Sequence, residues 1–188
     1  MDEMAKLKEQ IEKLQVRLRE ETNRRMDLER RCSILEKLAH RDPTTGLRTE
    51  NYLHARVREE IDRSIRFPST TSLVTLYFPE QNDLVLPRVG QRLSDESRTT
   101  DQVFKFNESS LAILLVETTG DGAQNALARL AQDLEQMVRG YGCTVTTFPG
   151  DANLAEDFMS LAIHRHAELS RKLHTSNRQI SNEASQIH

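Results

Sequence analysis

The chain has no apolar run approaching the roughly 20 residues that a membrane-spanning helix needs, and its first residues are charged rather than signal-like. The expectation is a cytoplasmic site with no membrane insertion. Cysteine is scarce. Cys32 and Cys143 stand far apart, without a C-x-x-C pair or Cys/His ligand spacing, so neither a disulfide framework nor a zinc site is supported. Both are read as buried, apolar-like residues. An excess of one charge is lacking too: 26 Lys and Arg stand against 29 Asp and Glu, a formal net charge of −3 that favours neither nucleic acid nor an anionic surface. There is no internal repeat, and no G-x-S-x-G elbow with companion His and Asp spacing for a nucleophilic enzyme. His164 and His166 stand at i and i+2 on an expected helix and point apart. With His174 they are read as solvent-exposed rather than as a metal site. No cofactor is implied by any of these features.

What is present fits one ordinary domain plus an appendage. The 188 residues are 37% hydrophobic, and the mean hydropathy of −0.62 suits a long exposed helix attached to a globular part. Over residues 1–40, Met4, Leu7, Ile11, Leu14, Leu18, Leu28, Cys32, Leu35 and Ala39 alternate in steps of three and four, with Glu21 and Arg25 as the polar steps. This is the a/d rhythm of a coiled coil over about five heptads. A single helix would leave that narrow stripe wet, so self-association is expected, with Leu7, Ile11, Leu14, Leu18, Leu28, Cys32 and Leu35 at the contact. In a parallel pair Arg24 meets Glu29 and Arg31 meets Glu36, which favours a parallel homodimer.

After Ala39 the pattern changes. Asp42-Pro43 stops a helix, and Thr45-Gly46 is a turn signal. Leu53, Val57, Ile61 and Ile65 predict a helix over 50–65, and residues 73–78 a strand. A short helix over 84–93 holds Pro87, which is tolerable in a first turn. Helices over 121–139 and 154–173, with a strand over 143–148, complete the alternation. Gly120-Asp121-Gly122 reads as the turn into a helix. The expected fold is α/β (α+β), a central mixed sheet of four or five strands covered by helices over 41–173. Residues 174–188 are polar, lack an apolar period and are expected to be disordered.

The stretch from Arg98 to Leu115 predicts a β-hairpin. Val103, Phe104 and Phe106 favour an extended strand, Asn107-Glu108-Ser109-Ser110 a polar turn, and Leu111 to Val116 a buried strand. The turn has no glycine to let a phosphate approach the backbone, and Glu108 is its one carboxylate. This segment resembles the GGDEF domain of diguanylate cyclases, whose pattern is R-x-x-D, five residues, then G-G-[DE]-E-F and an apolar strand. Arg98-Thr99-Thr100-Asp101 falls on R-x-x-D, and Asn107, Glu108, Ser109, Ser110 and Leu111 replace the signature. Asp42-Pro43-Thr44-Thr45-Gly46-Leu47 resembles the family's opening D-x-L-T-G-L, and residues 143–151 and 156–162 its late strand, turn and last helix.

The resemblance implies what is missing. The family joins two GTP molecules with divalent metal held by an aspartate on the first strand and the acidic third residue of the signature. Here Tyr77 stands nearest the first and Ser109 at the second, with Ser110 following. Glu80 and Glu108 are close in sequence, but one step along a strand turns a side chain to the opposite face. The segment before Arg98 is also shorter than in the cyclases, which removes family contacts to guanine. In the family R-x-x-D forms an inhibitory site for cyclic di-GMP with a second arginine from the following helix, which aligns with Arg129. Guanidinium can donate to guanine O6/N7 or to phosphate, and a carboxylate can accept from guanine N1 and N2 hydrogens. Arg and Asp at i and i+3 also arise readily in a chain with 29% charged residues, so a plain strand-entry role stands beside the ligand reading. Lys105, at a position often basic in the family, is read as a salt-bridge or surface residue. The expectation is a catalytically inactive GGDEF-like scaffold in bacterial signalling. It would dimerise through its coil and act on an unidentified protein partner, or alternatively bind cyclic di-GMP as a regulatory ligand through Arg98, Asp101 and Arg129.

Overall fold

A computed structural model describes residues 2–79 and 85–185, without the side chains of 2–7, 32–34, 36–39 and 176–185. Met4, Leu7, Cys32 and Ala39 of the expected seam, and Glu80, lie outside the described residues or side chains. The chain divides into two compact units, Met1–His40 and Arg41–His188.

The first unit is a single helix, α1 (Asp2–Ala39). No proline or glycine interrupts it, and its i,i+4 pairs Lys13–Glu9, Arg25–Glu29 and Arg31–Asp27 support it locally. The described seam residues are exposed, from 49% at Ile11 to 69% at Leu18.

The second unit runs α2 (Glu50–Arg66), β1 (Thr71–Tyr77), α3 (Val85–Glu96), β2 (Gln102–Asn107), β3 (Ser110–Leu115), α4 (Gly120–Met137), β4 (Gly142–Phe148) and α5 (Ala155–Ser185). The four strands form one sheet in the order β2-β3-β1-β4, and every ladder in it is antiparallel. Among the described residues the parallel pairing is one isolated bridge, Arg48 to Phe104, so the expected mixed sheet becomes an antiparallel one. The reason is topological. Strands joined through a helix, β1 to β2 and β3 to β4, do run parallel, but an antiparallel strand lies between the members of each couple, as in a split βαβ unit.

Strand alternation sorts the core into two layers. Val74, Leu76, Leu111, Ile113 and Leu115 pack under α3 and α4, whereas Leu73, Phe104, Phe106, Ala112 and Leu114 pack under α2 and α5. The loop carrying Asp42-Pro43-Thr44-Thr45-Gly46-Leu47 turns at Gly46, whose φ of +70° suits glycine. Leu47 then seats against α3 at Gly90, where a Cβ would come within 2.5 Å of Leu47 Cδ1. Pro87 is the third residue of α3, inside its first turn.

Two expectations change. The last helix, expected to end at Leu173, continues to Ser185. No proline or glycine follows Leu173 up to that point, and extending a docked helix adds one hydrogen bond per residue fixed. Cys143 is exposed rather than buried, because β4 is an edge strand of the sheet. No helix among the described residues is long and apolar enough to cross a membrane.

Candidate functional site

The tip of the β2–β3 hairpin is a two-residue loop, Glu108-Ser109, closed by the pair Asn107 and Ser110. Such loops ordinarily use residues at positive φ. Neither loop residue has one. The Asn107 side chain closes the turn instead, its Oδ1 accepting from the Ser109 backbone N–H at 2.9 Å. A register shift between Lys105 and Asn107 re-aims the tip, and the Phe78 amide donates to the Ser109 carbonyl at 2.9 Å, pinning it to the end of β1.

Beneath the tip lies a polar chain in an otherwise apolar layer. Ser110 Oγ is 2.9 Å from His166 Nε2, His166 Nδ1 is 3.0 Å from Thr75 Oγ1, and Thr75 Oγ1 is 2.8 Å from Thr144 Oγ1. The imidazole stands edge-on to Phe106, with centroids 5.0 Å apart. Burial pushes the His166 proton affinity below the ordinary histidine value of 6.5. The histidine expectation is therefore corrected. His166 is 5% exposed, while His164 stays at the surface, with Nε2 3.7 Å from Glu168. The missed signal was helical: Phe158, Ala162, His166, Leu169 and Leu173 step by three and four, which places His166 on the inward stripe of α5.

Tyr77 shares this face. Its hydroxyl bonds His174 Nε2, and burial raises its pKa above 10.0. An open groove of about 490 Å³ lies between the tip, α5 and the start of α2. The described residues lining it include Glu50 and Glu108 and no Lys or Arg. Among the described residues no three His, Cys, Asp or Glu side chains gather as a metal site.

The entrance to the hairpin is built differently. The Asp101 amide donates to the Arg98 carbonyl at 3.0 Å, and the Asp101 carboxylate accepts from the amides of Arg98 at 3.3 Å and Val116 at 3.2 Å. Asp101 thus braces the strand entry. It also lines, with Arg129, a small cleft of about 20 Å³ under α4, enough space for about one water. The Arg98 and Arg129 side chains are exposed and make no hydrogen bond or ion pair to another described residue.

Two clasps hold the surroundings. Lys105 Nζ pairs with Asp42 Oδ2 at 3.0 Å, tying the opening loop to β2. Burial raises the Asp42 pKa, but its bonds from Thr45 and Lys105 outweigh this and leave it below 3.8. Arg165 grips Asp151 through both guanidinium ends, at 2.9 and 3.0 Å, and donates to the Val145 carbonyl at 2.8 Å. The Asp151 pKa falls accordingly, chiefly through the Arg165 hydrogen bonds.

Compared with solved structures, the chain aligns with the GGDEF domain of FimX from Pseudomonas aeruginosa at a TM-score of 0.62. The identity is 19%, over 71% of this chain and 94% of that one. The fold is that of a GGDEF domain. Diguanylate cyclase SiaD of Pseudomonas aeruginosa, solved with its activator SiaC, aligns at a TM-score of 0.58 and 22% identity over 93% of this chain and 75% of that one. The GGDEF domain of DgcB from Caulobacter crescentus, solved with c-di-GMP, gives 0.57 and 11% over 67% and 84%. No family model and no curated protein matches the sequence. In the GGDEF fold of this chain the hairpin carries Asn107, Glu108, Ser109, Ser110 and Leu111 at its tip, and Arg98 and Asp101 at its entrance, with Arg129 beside Asp101.

Proposed function

We propose that this chain is a catalytically inactive GGDEF-fold protein that pairs through α1 and acts by protein–protein interaction in bacterial cyclic di-GMP signalling. The observation that carries this reading is the use made of the hairpin tip. Ser110 bonds His166 and Tyr77 bonds His174, so side chains near the places where cyclase chemistry needs metal carboxylates are engaged within the fold. A divalent cation does not fit this donor set of hydroxyls and imidazoles, and a triphosphate does not fit a groove whose described charged residues are the carboxylates Glu50 and Glu108. The open face made by the tip and α5 is the surface offered to a partner. SiaD, solved with its activator, is a GGDEF-fold protein that assembles with another protein.

Self-association rests on α1. Ile11, Leu14, Leu18, Leu28 and Leu35 stay exposed along one stripe, and burying each would stabilise a pair by about 1.5–3 kcal/mol. The parallel arrangement is favoured by Arg24 with Glu29 and Arg31 with Glu36 across the pair. Light scattering tests it: the full chain should run as a dimer and Leu14→Lys/Leu18→Lys as a monomer. A variant that stayed dimeric would remove α1 from the contact.

A second reading, a cyclic di-GMP receptor, is favoured by the shared cleft of Asp101 and Arg129 and by the exposed guanidinium of Arg98. Calorimetry with cyclic di-GMP decides it. Heat that disappears in Arg98→Ala supports a receptor, and no heat at tens of micromolar rejects one.

A further inference from the structure

The hydrogen-bond chain under the hairpin tip has a direction that can be assigned. Asn107 Oδ1 accepts from the Ser109 amide at 2.9 Å, which turns the side-chain amide so that Nδ2 lies 3.5 Å from His166 Nε2. An amide nitrogen only donates, so Nε2 is the bare nitrogen of the ring. It also accepts from the Ser110 hydroxyl at 2.9 Å. The proton is therefore on Nδ1, which donates to Thr75 Oγ1 at 3.0 Å, and Thr75 passes its own hydrogen to Thr144 Oγ1 at 2.8 Å.

We propose that a proton arriving at His166 Nε2 unlatches the hairpin tip. The new N–H faces the Asn107 amide hydrogens, donor against donor, and Asn107 must swing away. Because the same side chain closes the turn, the Glu108-Ser109 loop loosens with it, about the Phe78 amide that still holds the Ser109 carbonyl. The Ser110 hydroxyl can rotate to accept from the new N–H, so the strand end stays in place and the movement is confined to the tip.

The surroundings set the conditions for this. From β1 come Thr75 and Tyr77, from β2 Phe106, and from β4 Thr144, none of them a carboxylate that could pair with an imidazolium. On α5, His174 is bonded to Tyr77 and the Arg165 guanidinium is held by Asp151. Glu50 of α2 and Glu108 of the tip line the groove onto which the ring opens. Burial disfavours the charge, so the latch works on the acid side of the ordinary histidine range.

Nuclear magnetic resonance of the full chain from pH 7.5 to 5 tests this. In the unaltered protein the Asn107 side-chain amide and the Ser109 and Glu108 backbone amides should shift with one midpoint, shared with the His166 ring protons. Asn107→Asp keeps the acceptor for the Ser109 amide and removes the opposing donor. It should raise the His166 midpoint by about one unit or more and leave the tip signals still as the ring titrates. Tip signals that follow a midpoint other than that of His166, or an unchanged His166 midpoint in Asn107→Asp, would overturn the latch.

Discussion

The two ends of the β2–β3 hairpin are separated by one strand and spend their polar groups in opposite ways. At the tip, Asn107, Ser109, Ser110 and His166 satisfy one another across three elements, and Phe106 packs beneath them. At the entrance, Asp101 braces backbone amides while the guanidinium groups of Arg98 and Arg129 reach solvent. A tip whose hydrogen bonds close on itself contributes to folding, and an entrance with exposed donors leaves them available to a ligand. The comparison separates side chains that the fold consumes from those it leaves outside.

The largest expected effect comes from hollowing the tip. Phe106→Ala should cost about 3–5 kcal/mol in urea denaturation, since the ring is 4% exposed and supports His166. A loss below about 1 kcal/mol would mean that the tip is not part of the core. Ser110→Ala comes next, at about 1–3 kcal/mol, because it removes the closer donor to a buried ring nitrogen.

Acidity separates the clasps further. Burial depresses the folded-state pKa of His166, so the unfolded chain binds more protons once the pH drops below 6.5. Its contribution is complete above 6.5 and is lost as pH falls toward the folded value. The Asp151 pKa is depressed by Arg165, so that contribution is present above 3.8 and disappears as pH falls through the folded value. Denaturation at stepped pH should show the first loss only in chains with His166, and His166→Asn should flatten the curve just below 6.5 while keeping the lower limb. A first loss that persists in His166→Asn would assign it to another group.

The smallest effect on stability belongs to the entrance. Arg98→Ala and Arg129→Ala should each stay within about 0.5 kcal/mol of the unaltered chain, as exposed side chains without a partner among the described residues do. A larger loss would turn the entrance into a structural clasp like the tip and weaken the receptor reading.

Much of this was legible in the sequence, for identifiable reasons. The spacing of Leu53, Val57 and Ile61 marked α2 and the β-branched and aromatic run Val103 to Phe106 marked β2, because local periodicity follows the face each element buries, and Pro87 meets the condition set for it by lying in the first turn of α3. Strand order was not legible, since pairing β1 with β3 and β4 depends on contacts far apart in the chain. The candidate tip was located but its chemistry was missed. Ser110 and His166 are 56 residues apart and meet only when α5 docks, and judging His166 against His164 concealed its place on the apolar stripe.

The most direct measurement is turnover by the purified full chain with GTP and magnesium, followed by chromatography for cyclic di-GMP. A tip built from Asn107, Glu108, Ser109 and Ser110, with Tyr77 bonded to His174, predicts no product above the enzyme-free control. Cyclic di-GMP accumulating in proportion to protein concentration would contradict the account.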